Sequence, residues 1–325
     1  MMRGKVWIGV AVSAVLLWVA VRGVSLDEVV QQLRQVHPGW LVPLIVSIFL
    51  RFWLTALRWQ LLLKPVKRIG VHRLFAITMI GFMANNILPA RLGEFVRAYA
   101  LGRSESLSPS LPFATIVIER IFDGFTLLLF LVGGLSFLQP GPTLLVAAAL
   151  TGALYMVVLG FLVALRMGHG MGVLTWLCAR LPQRWAGTAQ QFLESFRAGL
   201  DVLTDVRAIL GAAILSIVIW VVNAAGVEAT FRAFSLDLPP YACFLVLGTI
   251  AVALVLPSAP GYVGPLQAGA VQGMAMLGVA RETALSLSIV YHLANYIPIT
   301  LVGLAYLSGL NLSLGELRAA SHKNA

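Results

Sequence analysis

Residues 81–102 read GFMANNILPARLGEFVRAYALG, and the architecture depends on how this stretch is placed. It lies between two apolar runs, yet it contains two Asn, a Pro, two Arg and a Glu. Each of these groups is costly in a hydrocarbon environment. A helix that simply crossed a membrane would not carry all of them in its middle, so the stretch indicates a break.

The composition indicates a membrane protein. Of the 325 residues, 59% are hydrophobic and only 11% are charged, whereas roughly a quarter of the residues of soluble proteins are charged. Apolar runs recur along the chain, each long enough to cross a hydrocarbon core of about 30 Å. We therefore predict an all-α polytopic membrane protein, with residues 1–325 as a single integral membrane domain.

Several classes of function are disfavoured. No stretch remains for an aqueous catalytic domain of ordinary size. The net charge of +10 is explained by basic cytoplasmic loops rather than by nucleic-acid binding. Cys178 and Cys243 have no metal-ligand spacing, and the HExxH, GxSxG, Walker and GxGxxG motifs are missing. We expect no catalytic residues, no metal and no cofactor.

The apolar runs predict about six spans and two broken regions. The spans cover residues 6–21, 40–62, 112–138, 143–165, 208–234 and 285–307, and the broken regions cover 74–101 and 241–280. Basic clusters at 64–73 and 166–207 indicate cytoplasmic loops, the second as an interfacial linker. Counting crossings between these loops, each broken region must leave the membrane on the side from which it entered. This predicts two re-entrant hairpins that enter from opposite faces, with both termini cytoplasmic.

The two broken regions share a short pattern. LPARLG at 88–93 and LPSAPG at 256–261 are both L-P-x-x-x-G, about half a chain apart. Matching breaks with opposed topology are typical of secondary transporters built from inverted repeats, whose substrate sites lie near the membrane midplane. We therefore predict a first repeat over 40–138 and a second over 208–307.

Charged residues at membrane depth mark a candidate site in the first half. Each costs at least about 2.5–3.5 kcal/mol, so it needs a partner, water or a function. The arginines outnumber the carboxylates by two, which favours an anionic guest such as a phosphate. The predicted head-group site comprises Arg51, Arg58, Asn85, Asn86, Arg91, Glu94, Arg97, Glu119, Arg120 and Asp123. A purely structural role as contacts between helices is the alternative reading.

Neutral polar residues dominate the second half. Glu228 and Arg232 have the i,i+4 spacing of a simple ion pair, and His292 is interpreted as a hydrogen-bonded helix contact in preference to a proton carrier. The Gly-rich break lets backbone groups approach a ligand. The predicted second-half cavity comprises Pro257, Gly261, Gly264, Gln267, His292, Asn295 and Glu228.

These motifs resemble a known family. ALRWQLLL, NNILPARLGEFVRAYALG, ATIVIERIFDG and LPSAPGYVG occur in an order similar to that of the flippase-like family typified by the lysyl-phosphatidylglycerol synthase transmembrane region, the membrane part of the multiple peptide resistance factor. The resemblance implies lipid transfer between leaflets through two opposed re-entrant elements. Gln267 stands where an acidic residue is expected, and the soluble aminoacyl-transferase domain of fused members has no counterpart here. We therefore do not expect this chain alone to make lysyl-phosphatidylglycerol.

The resulting hypothesis is a lipid translocase of a bacterial or archaeal cytoplasmic membrane. A phosphate-bearing lipid, either a phospholipid or a polyprenyl-phosphate-linked lipid, would pass its head group through a net-positive cavity between the hairpins. The alternatives are an intramembrane lipid-modifying enzyme and a membrane accessory subunit of a lipid or glycan synthase. A homo-oligomer and a separate lipid-modifying enzyme are further partners compatible with this hypothesis, whereas nucleic acid is not.

Overall fold

The computed structural model describes residues 2–88, 92–137, 142–180, 182–256 and 258–309. Within these residues every regular element is a helix, which confirms the all-α prediction. The α-helices are α1 (Met2–Val21), α2 (Leu26–Arg34), α3 (Leu41–Leu63), α4 (Val71–Ile87), α5 (Gly93–Glu105), α6 (Ser110–Leu135), α7 (Pro142–Arg166), α8 (Met171–Ala179), α9 (Gln183–Gly199), α10 (Val206–Ala233), α11 (Tyr241–Ala253), α12 (Pro265–Ala275) and α13 (Arg281–Gly309).

Among the residues that the structure describes, four helices are long and apolar enough to cross a membrane, namely Pro38–Leu63, Ala149–Arg166, Val206–Ala233 and Arg281–Gly309. A fifth span results if Gly9–Val21 and Leu26–Arg34, which are bent by 81°, count as one. Helix α6 has 26 residues and is about 39 Å long, but it carries three charged residues near its centre. The polytopic helical class is therefore confirmed, and the number of six full spans stays a prediction.

Helices α4 and α5 fold back on each other and form hairpin 1. Their close approach depends on glycine, because a Cβ at Gly93 would lie 2.2 Å from the carbonyl oxygen of Gly81. The Gly93 N–H donates to Asn85 Oδ1 at 2.7 Å near the tip. At the base, Arg73 Nη1 lies 2.9 Å from Glu105 Oε1. Both ends of hairpin 1 therefore lie at the same end of the molecule.

Helices α11 and α12, joined through a 3₁₀ turn at Pro260–Tyr262, form hairpin 2. A Cβ at Gly269 would lie 2.7 Å from the Cα of Ile250. One turn further along α12, a Cβ at Gly273 would lie 3.1 Å from the Cα of Val246. The register is antiparallel, so the region predicted to be broken at residue 257 also turns back on itself.

The two hairpins approach α13 from opposite ends. Hairpin 1 begins beside Tyr306, whose ring lies 5.6 Å from that of His72, and its tip reaches Thr300 through Asn86 Nδ2 at 2.9 Å. Hairpin 2 is joined to the N-terminal end of α13, and its tip lies beside His292. The two tips meet near the middle of α13.

We expect Gly93→Ala to destabilise hairpin 1. The added methyl group would collide with a backbone carbonyl that cannot rotate away, so the expected loss is about 3 kcal/mol, at the upper end for overpacking. Gly133→Ala is the matched control, because nothing lies within 4 Å of a Cβ at that helical glycine. We expect it to change stability by about 1 kcal/mol or less. Equal thermal unfolding curves for the two variants in detergent would contradict the packing.

Candidate functional site

A cavity of about 390 Å³ lies where the hairpin tips meet α13. It is lined by residues of both hairpins and of α3, α6, α10 and α13. Of the predicted site residues that the structure describes, seven line it, namely Arg51, Asn86, Glu94, Arg120, Asp123, His292 and Asn295. The contact between Arg51 Nη2 and Asn295 Oδ1, at 3.2 Å, joins positions 244 residues apart. The cavity therefore combines both predicted halves of the site.

Asp123, a carboxylate of the cavity lining, contacts three side chains of the described part of the chain. Arg58 binds it with both terminal nitrogens, at 2.6 Å to Oδ1 and 3.2 Å to Oδ2. Trp220 Nε1 donates to Oδ1 at 3.1 Å, and Arg120 Nη2, three residues earlier on the same helix, lies 3.3 Å from Oδ2. Both oxygens of Asp123 thus contact protein donors, and the carboxylate holds the Arg120 guanidinium at the cavity.

A buried layer, formed by Arg58, Arg97 and Glu119, lies behind the cavity. Arg97 Nη2 donates to Glu119 Oε2 at 2.9 Å, and Arg58 Nε lies 3.5 Å from Glu119 Oε1. The Arg97 guanidinium also lies 4.2 Å from the centre of the Trp59 ring. Glu119 is 0% exposed and both arginines are 1% exposed. None of the three lines the cavity, and they hold α3 and α5 against α6.

The charges divide between these two regions. The described lining carries two arginines and two carboxylates, namely Arg51, Arg120, Glu94 and Asp123. The buried layer carries two arginines and one carboxylate. The positive excess of the described residues therefore lies behind the cavity wall. Arg91 lies outside the described residues.

A chain of three hydrogen bonds holds the tip of hairpin 2 to α13. The Gly264 N–H donates to Gln267 Oε1 at 2.8 Å, which directs the other end of this amide to His292 Nδ1 at 2.9 Å. His292 Nε2 lies 2.7 Å from the carbonyl oxygen of Gly261. Because a carbonyl only accepts, Nε2 carries the hydrogen and Nδ1 accepts from Gln267. A carboxylate at position 267 could not donate in this way, which explains the neutral residue.

We expect Gln267→Ala to lower the free energy of unfolding by about 2–4 kcal/mol, because two buried groups each lose a partner worth about 1–3 kcal/mol. These groups are the Gly264 N–H and His292 Nδ1. Gln272→Ala is the matched control on the exposed face of the same helix, with an expected change within about 0.5 kcal/mol. Thermal unfolding in detergent measures both, and an equally small loss for both variants would contradict the role of Gln267.

Four further predicted residues, Asn85, Gly261, Gly264 and Glu228, do not line the cavity. Asn85 binds the backbone inside hairpin 1. Gly261 and Gly264 have positive φ of +74° and +97°, which favour glycine at the tip of hairpin 2. Glu228 lies in a separate groove, where Arg232 Nε donates to its Oε1 at 2.7 Å. Pro257 lies outside the described residues.

The prediction missed the aromatic part of the lining. Trp220, Tyr262, Tyr291 and Tyr296 line the cavity, as does Asn223. Aromatic residues at helical spacing are ordinarily core, so the pattern alone does not separate them. A usable signal was the i,i+4 relation of Tyr291 to Asn295 and of Tyr296 to His292, which places them on one face of α13.

No cluster of His, Cys, Asp or Glu in the described part of the chain is arranged to hold a metal ion. Cys178 and Cys243 are both free thiols.

Comparison with known proteins identifies relatives over the whole chain. The family described as "Lysylphosphatidylglycerol synthase TM region" matches residues 6–303. Two UPF0104 membrane proteins of Methanothermobacter thermautotrophicus are similar, one 23% identical over 97% of both chains and the other 24% identical over 79% of both. Glycosyltransferase AglD of Haloferax volcanii is 25% identical over 92% of this chain and 54% of its own length. No solved structure matches. With the family match covering nearly all of its length, the chain belongs to the lysylphosphatidylglycerol synthase transmembrane region family.

Proposed function

We propose that this protein is a lipid translocase that moves an anionic, phosphate-bearing lipid between the leaflets of its membrane. The observation that carries the proposal is the meeting of two opposed hairpins at a charged cavity near the middle of α13. Secondary transporters with inverted repeats place their substrate sites in this way. In the proposal both hairpins are re-entrant, and access alternates as one repeat rocks against the other.

The arginines of the lining supply the attraction for phosphate. Arg51 Nε and Arg120 Nε are buried and have no hydrogen-bond partner within the described part of the chain. A buried donor without a partner costs about 1–3 kcal/mol, which an anionic guest in the cavity would recover. Arg120 is held in place by Asp123, and Arg51 by Asn295. Both guanidinium groups would thus be oriented before the lipid arrives.

The size of the cavity limits what enters it. At about 390 Å³, it lies in the lower part of the range of about 300–1,000 Å³ for small-ligand sites. A head group fits this volume, whereas two acyl chains do not. The chains would remain in the bilayer, beside the exposed apolar side chains of α10 such as Leu210, Ile214 and Val221.

Transfer is tested in proteoliposomes that contain phosphatidylglycerol with a fluorescent label on one chain. A membrane-impermeant quencher removes only the outer-leaflet signal from protein-free vesicles, so about half of the signal remains. We expect the protein to move labelled lipid from the inner to the outer leaflet, so that the quencher removes the remaining signal as well. Wild-type, folded protein that leaves the inner-leaflet signal intact would contradict the proposal.

The re-entrant arrangement makes a separate topological prediction. In a background with Cys178 and Cys243 replaced by Ala, we expect Ser108→Cys and Arg68→Cys to react with an impermeant maleimide from the same side. These positions flank hairpin 1, whose base is joined by the Arg73–Glu105 ion pair. Asp237→Cys should react only from the other side. Labelling of Ser108→Cys and Arg68→Cys from opposite sides would mean that the hairpin crosses the membrane.

A second candidate function is participation in lipid or glycan synthesis, as a lipid-modifying enzyme or as an accessory subunit. The similarity to glycosyltransferase AglD, of which the match covers 54%, favours it. An enzyme changes the mass of the lipid with which it is incubated, whereas a translocase leaves it unchanged. An accessory subunit would tolerate neutral replacements in the cavity lining provided that the protein folds.

A further inference from the structure

We infer that the head group is a phosphate joined to one neutral, hydroxyl-bearing ring of the size of a monosaccharide, rather than a phosphate joined to an amine. This inference rests on the lipid-translocase proposal and names the substrate class of the same cavity. It follows from which polar groups of the lining remain available to a guest.

The cavity offers little to a cation. Asp123 already accepts hydrogen bonds from Arg58 and Trp220 and is ion-paired with Arg120. Glu94 is the other carboxylate of the described lining, and it shares the cavity with two arginines. A protonated amine would lie near both guanidinium groups, which repel it, and it would find one carboxylate at most.

The lining instead provides neutral hydrogen-bonding groups. Asn86, Asn223 and Asn295 contribute amides to the lining. The amide nitrogens of Asn86 and Asn295 already donate to the carbonyl oxygens of Tyr296 and Tyr291. Asn223 is therefore the amide of the described lining that offers N–H groups to a guest. Tyr291 Oη donates to Asn223 Oδ1 at 3.1 Å, which fixes the orientation of that amide. The N–H groups of this amide suit the oxygen of a hydroxyl group, whereas an ammonium group carries only donors.

Aromatic rings complete the site for a sugar. Trp220, Tyr262 and Tyr296 line the same cavity, together with Phe52 and Phe82. A sugar ring has an apolar face of C–H groups that packs on such rings, while its edge of hydroxyls faces the amides. The cavity volume of about 390 Å³ accommodates one such ring beside a phosphate, and no longer glycan.

The test compares three soluble probes with the same eight-carbon chain, namely octyl phosphate, octyl mannosyl phosphate and octyl phosphoethanolamine. Binding to the purified full chain in detergent is measured by calorimetry. We expect the mannosyl probe to have a Kd about tenfold lower than the other two, which corresponds to about 1.4 kcal/mol. Equal affinities, tighter binding of the ethanolamine probe, or no binding of the mannosyl probe would overturn the inference.

Two variants test which part of the protein causes the preference for the mannosyl probe. Asn223→Leu should lower the affinity for the mannosyl probe to that for octyl phosphate, whereas Glu228→Gln, in the separate groove, should keep the full preference. An unaltered preference in folded Asn223→Leu protein would count against the inference. If that variant does not fold, the comparison of the three probes on the wild-type protein still tests the inference.

The outcome is separable from that of the translocase proposal. Transfer of labelled phosphatidylglycerol without a mannosyl preference would overturn the substrate class and leave the translocase intact. A mannosyl preference without transfer of either labelled phosphatidylglycerol or a labelled lipid with a mannosyl phosphate head group would support the ligand class and overturn the translocase.

Discussion

Glu119→Ala is expected to lower the free energy of unfolding by about 3–5 kcal/mol, because it leaves the buried Arg97 without its paired carboxylate. Glu119 is 0% exposed and contacts Arg97 at 2.9 Å and Arg58 at 3.5 Å. Removing the carboxylate leaves the Arg97 guanidinium, which is 1% exposed, inside the helix bundle without this partner. Thermal unfolding in detergent, with limited proteolysis as a second measure, reports the loss.

Glu228→Ala provides a matched control for this prediction. Glu228 also binds an arginine, Arg232, at 2.7 Å, but its side chain is 33% exposed. Exposed ion pairs contribute about 0–1 kcal/mol, so we expect a change of that size. A loss for Glu119→Ala no larger than that for Glu228→Ala would show that the buried layer does not hold α3, α5 and α6 together.

Arg120→Gln is expected to reduce the rate of lipid transfer about ten- to hundredfold. A hydrogen bond to a charged group contributes about 1.5–3 kcal/mol, and each 1.4 kcal/mol is a factor of ten. Gln keeps some of the hydrogen-bonding capacity but removes the charge that attracts phosphate. The transfer rate of Arg120→Lys should lie between those of the wild type and of Arg120→Gln, because Lys restores the charge without the planar fork of donors.

Arg232→Gln is the corresponding control. It removes an arginine of similar exposure, 42% against 40% for the Arg120 side chain, from the groove around Glu228. We expect its transfer rate to equal that of the wild type. Equal rates for wild-type and Arg120→Gln protein, at matched reconstitution and unchanged unfolding temperature, would remove Arg120 from the translocation site.

Hairpin 1 illustrates how far sequence reasoning reaches. The break after Ile87 follows from the Pro and Gly residues of the stretch at 81–102, and loop charge predicts that the chain returns after it. The structure has α4 and α5 folded together, with Asn85 bound to the Gly93 N–H. The sequence did not indicate that Gly81 makes room for the side chain of Arg97, because that contact depends on how closely two helices approach.

The cavity shows where such reasoning stops. The charged residues were found because each is costly at membrane depth, wherever its side chain points. Their division into lining and buried layer was not predictable, since Arg51 and Arg97 look alike in sequence. Arg51 lines the cavity and binds Asn295, whereas Arg97 is enclosed between Trp59 and Glu119.

The sequence by itself determined the helical membrane class, the positions of the breaks, and the short-range pair Glu228–Arg232. These depend on hydrophobicity and on spacing along one helix, which a sequence contains directly. Only the tertiary structure decided which charges face the cavity, that aromatic rings complete it, and that Gln267 orients His292. The reason is physical: the role of a polar side chain depends on its burial and on its partners, and those partners come from distant helices.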